Sequence, residues 1–219
     1  RCGRPGPCRT RRARGSGCRA DERRTVNLKP YGDTALLLDC ETLDEAQRWF
    51  AALHLDAEAV LGARSVLLRG DPAALRSLVG RTVLADPTAP HDGQEIEVPV
   101  VYDGADLEEV ARLTGLTTAE VVEAHTGTPW TVAFGGFAPG FSYLVGGDPR
   151  LHVPRRDSPR GRVPAGSVGL AGEFSGIYPR ESPGGWQLIG RTGLTMWDTA
   201  RAEPALLIAG MTVTFVEVT

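Results

Sequence analysis

Along the first half of the chain, apolar positions switch between continuous runs and helical spacing. Ala35-Leu36-Leu37-Leu38 is a continuous apolar run behind the turn residues Tyr31-Gly32-Asp33, which reads as a buried strand. Leu43, Ala46, Phe50 and Leu53 recur at helical spacing and predict an amphipathic helix of about three turns. Ser65-Val66-Leu67-Leu68-Arg69 is a second strand. Asp71-Pro72 then sets an N-cap before a proline at the first helical position, with Leu75, Leu78 and Val79 as that helix's inner face. This β-α-β-α run predicts a small two-layer domain of ferredoxin-like type over residues 26–92, with Asp86-Pro87 through Gly93 as a linker.

A different pattern follows over 93–219. Ile96, Val98 and Val100 alternate with other residues as a strand would. Two short helices are expected next, each opened by a capping pair, Asp106 with Glu109 and Thr117 with Glu120. The second ends near His125-Thr126-Gly127. Residues 127–193 then hold 15 of the 27 glycines and 8 of the 16 prolines, so any strands there are short and separated by long loops. Thr131–Phe134, Val168–Ala171, Gln187–Ile189, Leu206–Ile208 and Val213–Val216 are the strand-like pieces, the signature of a small β-barrel with elaborate loops. The fold class expected is α+β, an α/β domain followed by a barrel.

Charge separates a third segment from these two. Residues 1–24 hold nine Arg against Asp21 and Glu22, a net of +7, and the rest of the chain carries −10. An acidic body repels a phosphate backbone, so no nucleic-acid role is expected of it. Residues 1–25 read as a disordered basic tail. With 23 Arg against the single Lys29, GC-rich coding read upstream of a GTG start at Val26 is the favoured origin; a transit peptide and a nucleic-acid-binding arm stay open. No apolar run reaches the ~18 residues of a membrane-spanning helix, so no membrane role is expected. Cys2, Cys8 and Cys18 fall in the tail, and Cys40 alone in the body suits a reducing, cytoplasmic setting.

Several machines are excluded by their missing parts. Lys29 has no glycine loop before it, so phosphates are not held in the Walker manner. His54, His91, His125 and His152 lack ligand spacing, and no metal is expected. Ala165-Gly166-Ser167-Val168-Gly169 approaches a nucleophile elbow, but no histidine follows His152 to complete a triad, which leaves Ser167 as a loop hydrogen-bonder. What remains is dense in arginine, glycine and aromatics. Phe137-Ala138-Pro139-Gly140-Phe141 sets two rings around a Pro-Gly turn. Arg150, Arg155, Arg156, Arg160 and Arg162 crowd one stretch, with Arg180 and Arg191 later; such forks either receive an anion or brace loops. His125 either caps helix carbonyls or moves a proton. Gly184-Gly185 beside Trp186 is either a turn or an anion-binding nest.

These loops carry a resemblance. Gly136–Leu144 (GFAPGFSYL), Val163–Val168 (VPAGSV), Gly176–Pro179 (GIYP) and Ser182–Thr192 (SPGGWQLIGRT), together with Tyr31–Leu36 (YGDTAL), are similar to the signatures of the family formed by the B subunits of 5-oxoprolinase. Its relatives include the sporulation kinase inhibitor KipI, proteins labelled allophanate hydrolase subunit 1, and half of the carboxyltransferase domain of urea carboxylase. The resemblance spans about 26–217 and implies a ferredoxin-like domain followed by a cyclophilin-like barrel. It also implies ATP-dependent opening of 5-oxo-L-proline to L-glutamate, ATP being cosubstrate of a complex with homologues of the A and C subunits. Carried over by motif, His125, Arg155, Tyr178 and Gln187 are expected as catalytic. Phe137, Pro139, Gly140, Phe141, Tyr143, Arg160, Gly184, Gly185, Trp186 and Arg191 are expected to hold substrate or phosphate. The other readings are a histidine-kinase inhibitor and one component of a urea or amide carboxyltransferase. Phe174-Ser175-Gly176 departs from the family's Gln-Thr-Gly, and Trp130 stands where Tyr is usual.

Overall fold

The computed structural model describes residues 27–84 and 94–219, so the basic tail, the linker and His91 lie outside the described residues. The first stretch is a four-stranded antiparallel sheet with two helices. β1 (Asn27–Pro30), β2 (Ala35–Asp39), β3 (Glu58–Gly62) and β4 (Ser65–Arg69) lie in the order β1-β2-β4-β3, with α1 (Leu43–Leu53) joining β2 to β3 and α2 (Pro72–Arg81) following β4. β4 thus separates β2 from β3, a split β-α-β unit. β2 and β4 pair Leu36 with Leu68 and Leu38 with Val66, and all four side chains are buried against Ala46, Trp49, Leu53, Leu75, Leu78 and Val79.

Both expected strands and both expected helices form here. Asp71 caps α2 by accepting from the Ala74 amide at 2.8 Å, ahead of Pro72. Two further strands escape the pattern reading. β1 and β3 are the sheet's edges: β1 shows no apolar run, while β3 carries a short one, Ala59-Val60-Leu61, whose Ala59 and Leu61 are half-buried and whose Val60 is exposed. On α1 the deepest ring is Trp49 rather than Phe50. Gly80 lies inside α2 with open space where a Cβ would stand. Replacing it with Ala is expected to stabilise the chain by up to about 0.5 kcal/mol in urea denaturation, because Ala has less unfolded-chain entropy to lose and Gly80 lies in the helix's last turn, where the interior penalty is only partly felt.

The second stretch curls into a barrel-like sheet of seven strands. β5 (Glu95–Val100), α3 (Leu107–Thr114), α4 (Thr118–Thr126), β6 (Trp130–Gly135), β7 (Ser142–Val145), β8 (Arg160–Val163), β9 (Ser167–Ala171), β10 (Phe174–Ile177), β11 (Ser182–Gly184), β12 (Gln187–Arg191) and β13 (Thr212–Glu217) follow in chain order. The sheet runs β12-β9-β10-β7-β6-β13-β5, with β13 parallel to β5. Its two outer strands meet where Val101 and Arg191 exchange N–H···O bonds of 2.9 Å each, which nearly closes the barrel and removes an edge. Inside it, Val98, Val100, Val132, Leu144, Leu170, Ile177, Val213 and Phe215 make the core. β8 and β11 form a separate two-stranded ribbon, which carries the arginine-rich loop.

Three local expectations are corrected. Leu206-Leu207-Ile208 is not a strand but an irregular segment, tied by the Leu206 amide to the Met196 carbonyl at 2.9 Å, with Leu207 buried. Ser167 is the buried first residue of β9 rather than a loop residue. The Thr117–Glu120 capping box forms, whereas Asp106 makes no side-chain cap on α3, its carboxylate being engaged elsewhere.

Candidate functional site

The loop between β6 and β7 is two tight turns in succession. Ala138 N–H bonds the Gly136 carbonyl at 2.7 Å around Phe137, whose φ of 64° is unusual for a residue with a side chain. Pro139-Gly140 then forms the corner of a β-turn closed by the Phe141 amide on the Ala138 carbonyl at 2.9 Å, with Gly140 at φ 82°. The first turn leaves the Phe137 ring 60% exposed, and the second drives Phe141 inward. Phe141 meets Phe137, Tyr143, Tyr178 and Trp186 edge-on, at centroid distances of 5.3, 5.1, 5.4 and 5.3 Å. The structure therefore brings together five aromatic residues named from three separate motifs.

Arg155 adjoins this cluster. A Cβ on Gly185 would come within 3.5 Å of Arg155 Nη2. Burial raises the Tyr143 and Tyr178 phenols above the ordinary tyrosine range, and in both the Arg155 charge opposes that shift. The neighbouring arginines are occupied. Arg150 pairs with Asp148, Arg162 with Glu181 and Arg191 with Asp103. Arg156 Nη1 and Arg160 Nη2 both reach Asp106 Oδ1 at 2.7 Å. Bracing is thus the observed use of most of these forks; exposed Arg155 and Arg180 form no ion pair among the described residues.

Asp106 is the residue that sequence reasoning missed. Its carboxylate is 3% exposed; besides the two guanidinium groups it accepts the Leu188 amide on Oδ2 at 2.7 Å. Burial by itself would raise its pKa, but hydrogen bonds from Arg160 and Leu188, with the charges of Arg160 and Arg156, outweigh that and hold the group below the ordinary aspartate value. Its backbone amide also bonds the Leu188 carbonyl at 2.8 Å, so α3 begins pinned to β12. A cue was present in the sequence: an aspartate before a helix, in a chain whose later loops carry an excess of arginine.

Gln187 and the glycine pair sit close to these arginines. Gln187 is 4% exposed; its Nε2 donates to the Pro154 carbonyl at 3.2 Å, while its Oε1 has no partner among the described residues. Gln187 and the loop residues Pro154, Arg155, Arg156, Asp157 and Ser158 line a cleft of about 400 Å³ together with the ion-paired Glu109 and Arg112 and with Leu113, all of α3. Neither Gly184 nor Gly185 has a positive φ, so the alternating backbone of an anion nest is not formed. Gly184 is required for space, since a Cβ there would collide with the Tyr178 hydroxyl. Arg191, at the far end of β12, does not line this cleft.

His125 is placed apart. It is 0% exposed at the end of α4; its Nδ1 lies 2.7 Å from Tyr102 Oη and its Nε2 2.9 Å from Ser175 Oγ. Its ring stacks on Phe215 at 4.1 Å, and Trp130 Nε1 donates to its carbonyl at 3.1 Å. Burial lowers its pKa from 6.5 to about 3, which keeps it neutral near pH 7. With both ring nitrogens taken and no exposed surface, it is a core histidine, and the expected proton-transfer role finds no support in this placement. Ser175 supplies the hydroxyl here, so the Phe174-Ser175 departure leaves this bond intact. Cys40 is buried as well, and desolvation pushes its thiol up to about 12. Among the described residues no group of three or more His, Cys, Asp or Glu side chains could hold a metal, and no helix is long and apolar enough to cross a membrane.

Comparison with known proteins places this geometry among relatives. Residues 26–207 match the family model described as carboxyltransferase domain, subdomain C and D. The chain is 53% identical over 124 residues to the B subunit of 5-oxoprolinase from Escherichia coli O157:H7, covering 55% of this chain and 57% of that one. It is 48% identical over 126 residues to the B subunit of 5-oxoprolinase from Bacillus subtilis, covering 56% and 52%. The matches thus span about half the length of these curated relatives. Among solved structures, a conserved uncharacterised protein of Pyrococcus horikoshii aligns at 35% identity with a TM-score of 0.56, over 88% of this chain and 97% of that one. The urea carboxylase of Kluyveromyces lactis shares the fold at 19% identity and a TM-score of 0.71, over 89% of this chain and 22% of that one. The chain belongs to the family of carboxyltransferase-domain proteins defined by subdomains C and D.

Proposed function

We propose that this chain is the B-type component of a cytoplasmic, ATP-dependent 5-oxoprolinase, opening 5-oxo-L-proline to L-glutamate with homologues of the A and C subunits. The observation that carries the reading is its identity of about one half, over more than half of its length, to relatives bearing that name. In this reading the four-stranded sheet belongs to a ferredoxin-like domain over 26–92, and the barrel is cyclophilin-like over 93–219.

The chemistry asks for activation and for charge recognition. A lactam carbonyl is a poor electrophile, and transfer of phosphate from ATP to the amide oxygen improves it. Substrate and phosphate are both anionic, and Arg155 is the exposed guanidinium beside the aromatic cluster, with no ion pair among the described residues. A fork of this kind receives carboxylate or phosphate oxygens in two parallel bonds. The exposed Phe137 ring and the open cleft face suit a site completed by a partner protein, which supplies the proton-transfer group that His125 does not provide.

The test is 5-oxoproline-dependent ATP hydrolysis by the chain alone and mixed with its A and C homologues. Turnover is expected only when all three are present. Arg155→Ala is expected to lower kcat/KM about 10- to 100-fold, the range for losing a hydrogen bond to a charged group. A stable three-part complex with no such hydrolysis would overturn the reading.

A further inference from the structure

Arg155 owes its position to neighbours that are held on both sides. Before it, the Pro154 carbonyl is bound by Gln187 Nε2 at 3.2 Å. After it, the Arg156 amide bonds the Gly185 carbonyl at 2.8 Å, and the Arg156 side chain ends on Asp106. Arg160, at the start of β8, ends on the same carboxylate oxygen. Like charges side by side in one loop repel, and the buried Asp106 gathers two of them while leaving the third to face the cleft.

We infer that Asp106 is a positioning residue: its carboxylate clamps Arg156 and Arg160 against the start of α3, so that Arg155 is held ready to receive the substrate carboxylate. The substrate part rests on the oxoprolinase reading above; the clamp itself does not. One buried oxygen anchors both ends of the segment 156–160, and the other fixes β12 beside Gln187. The carboxylate is itself on rigid backbone, since the Asp106 amide bonds the Leu188 carbonyl.

The experiment pairs Asp106→Asn with Arg155→Ala in the three-protein complex and follows the Arg156 amide of the chain by hydrogen exchange. Asn keeps the shape but cannot hold two guanidinium groups by charge. Exchange at Arg156 is expected to quicken about 10-fold while α4 and β13 keep their protection. KM for 5-oxoproline is expected to rise about 10-fold with kcat within about threefold. In the Arg155→Ala background the same change should add less than twofold, because Asp106 acts through Arg155. Equal effects in both backgrounds, or unchanged exchange at Arg156, would overturn the inference. Should Asp106→Asn fail to fold, Arg156→Gln removes one arm of the clamp and is read the same way. If the wild-type complex shows no turnover while exchange quickens as expected, the oxoprolinase reading fails and the clamp stands. Titration with 5-oxoproline and then inorganic phosphate, read as slowed exchange at Arg156, then decides whether Arg155 receives an anion. No response to either anion would overturn that part as well.

Discussion

Stability is expected to fall as pH drops from 6.5, and His125 is the reason. Its pKa is 6.5 when exposed and about 3 in the fold, so between those values the unfolded chain binds a proton that the native chain refuses. The sign follows directly: unfolding takes up protons, and acid favours it. Each pH unit below 6.5 removes about 1.4 kcal/mol, or about 2 kcal/mol by pH 5. Above pH 7 this group contributes no slope. The groups around it do not replace the effect: Tyr102 is pushed above the ordinary tyrosine range by burial, and Ser175 does not titrate. Urea denaturation at pH 7.5 and pH 5 measures it. His125→Gln should flatten the difference between the two pH values, while itself lowering stability at pH 7.5 by about 2–3 kcal/mol through the hydroxyl left unsatisfied. Equal pH slopes in wild type and variant would mean that the ring can be protonated in place.

A second large effect is expected at Gly104, which sits on the turn between β5 and α3. A Cβ there would overlap the Ile189 carbonyl carbon, the Gly190 nitrogen and the Leu188 oxygen, all backbone atoms of β12. A side chain could swing aside; these backbone atoms, paired with β9 and bonded to Gly104 and Asp106, cannot do so without breaking hydrogen bonds. The same glycine bonds Ile189 through its amide at 3.2 Å, two residues before Asp106 bonds Leu188. Gly104→Ala should therefore force β5–α3 away from β12, at a cost of about 3 kcal/mol or more, at the upper end of overpacking. It should also loosen the Asp106 clamp. Thermal denaturation and hydrogen exchange at Leu188 would register both effects; an unchanged melting temperature would show that the turn can relax.

The two halves of the chain differ in how readable they were. In the first half, apolar runs and helical spacing marked β2, β4, α1 and α2, because each presents a continuous face to one core. The edge β1 carried no such mark, and the three apolar residues of β3, Ala59-Val60-Leu61, form a run too short to stand apart from the helical spacing of α1 just before it. In the barrel, β5 was legible by alternation and β6, β9, β12 and β13 as short apolar pieces. β7, β8, β10 and β11 were not, their three or four residues being too few to display a period. Leu206–Ile208 misled for the opposite reason: three apolar residues in a row bury a side chain equally well without pairing.

The candidate site divides along the same line. Local chemistry was in the sequence: the Pro139-Gly140 turn, the proline-led cap of α2, the Thr117–Glu120 box, and the density of arginine and aromatic residues. Each depends on residues a few positions apart, so spacing reveals it. Partner choice was not in the sequence. Asp106 meets Arg156 and Arg160 from 50 and 54 positions away, and His125 meets Ser175 across 50. Whether an arginine braces or receives, and whether a histidine is a core residue or a catalyst, depends on which side chains the sheet brings beside it and on how much water is left. Only the tertiary structure decided that His125 is dry and neutral, that Arg156 and Arg160 are spent on one carboxylate, and that Arg155 faces the cleft.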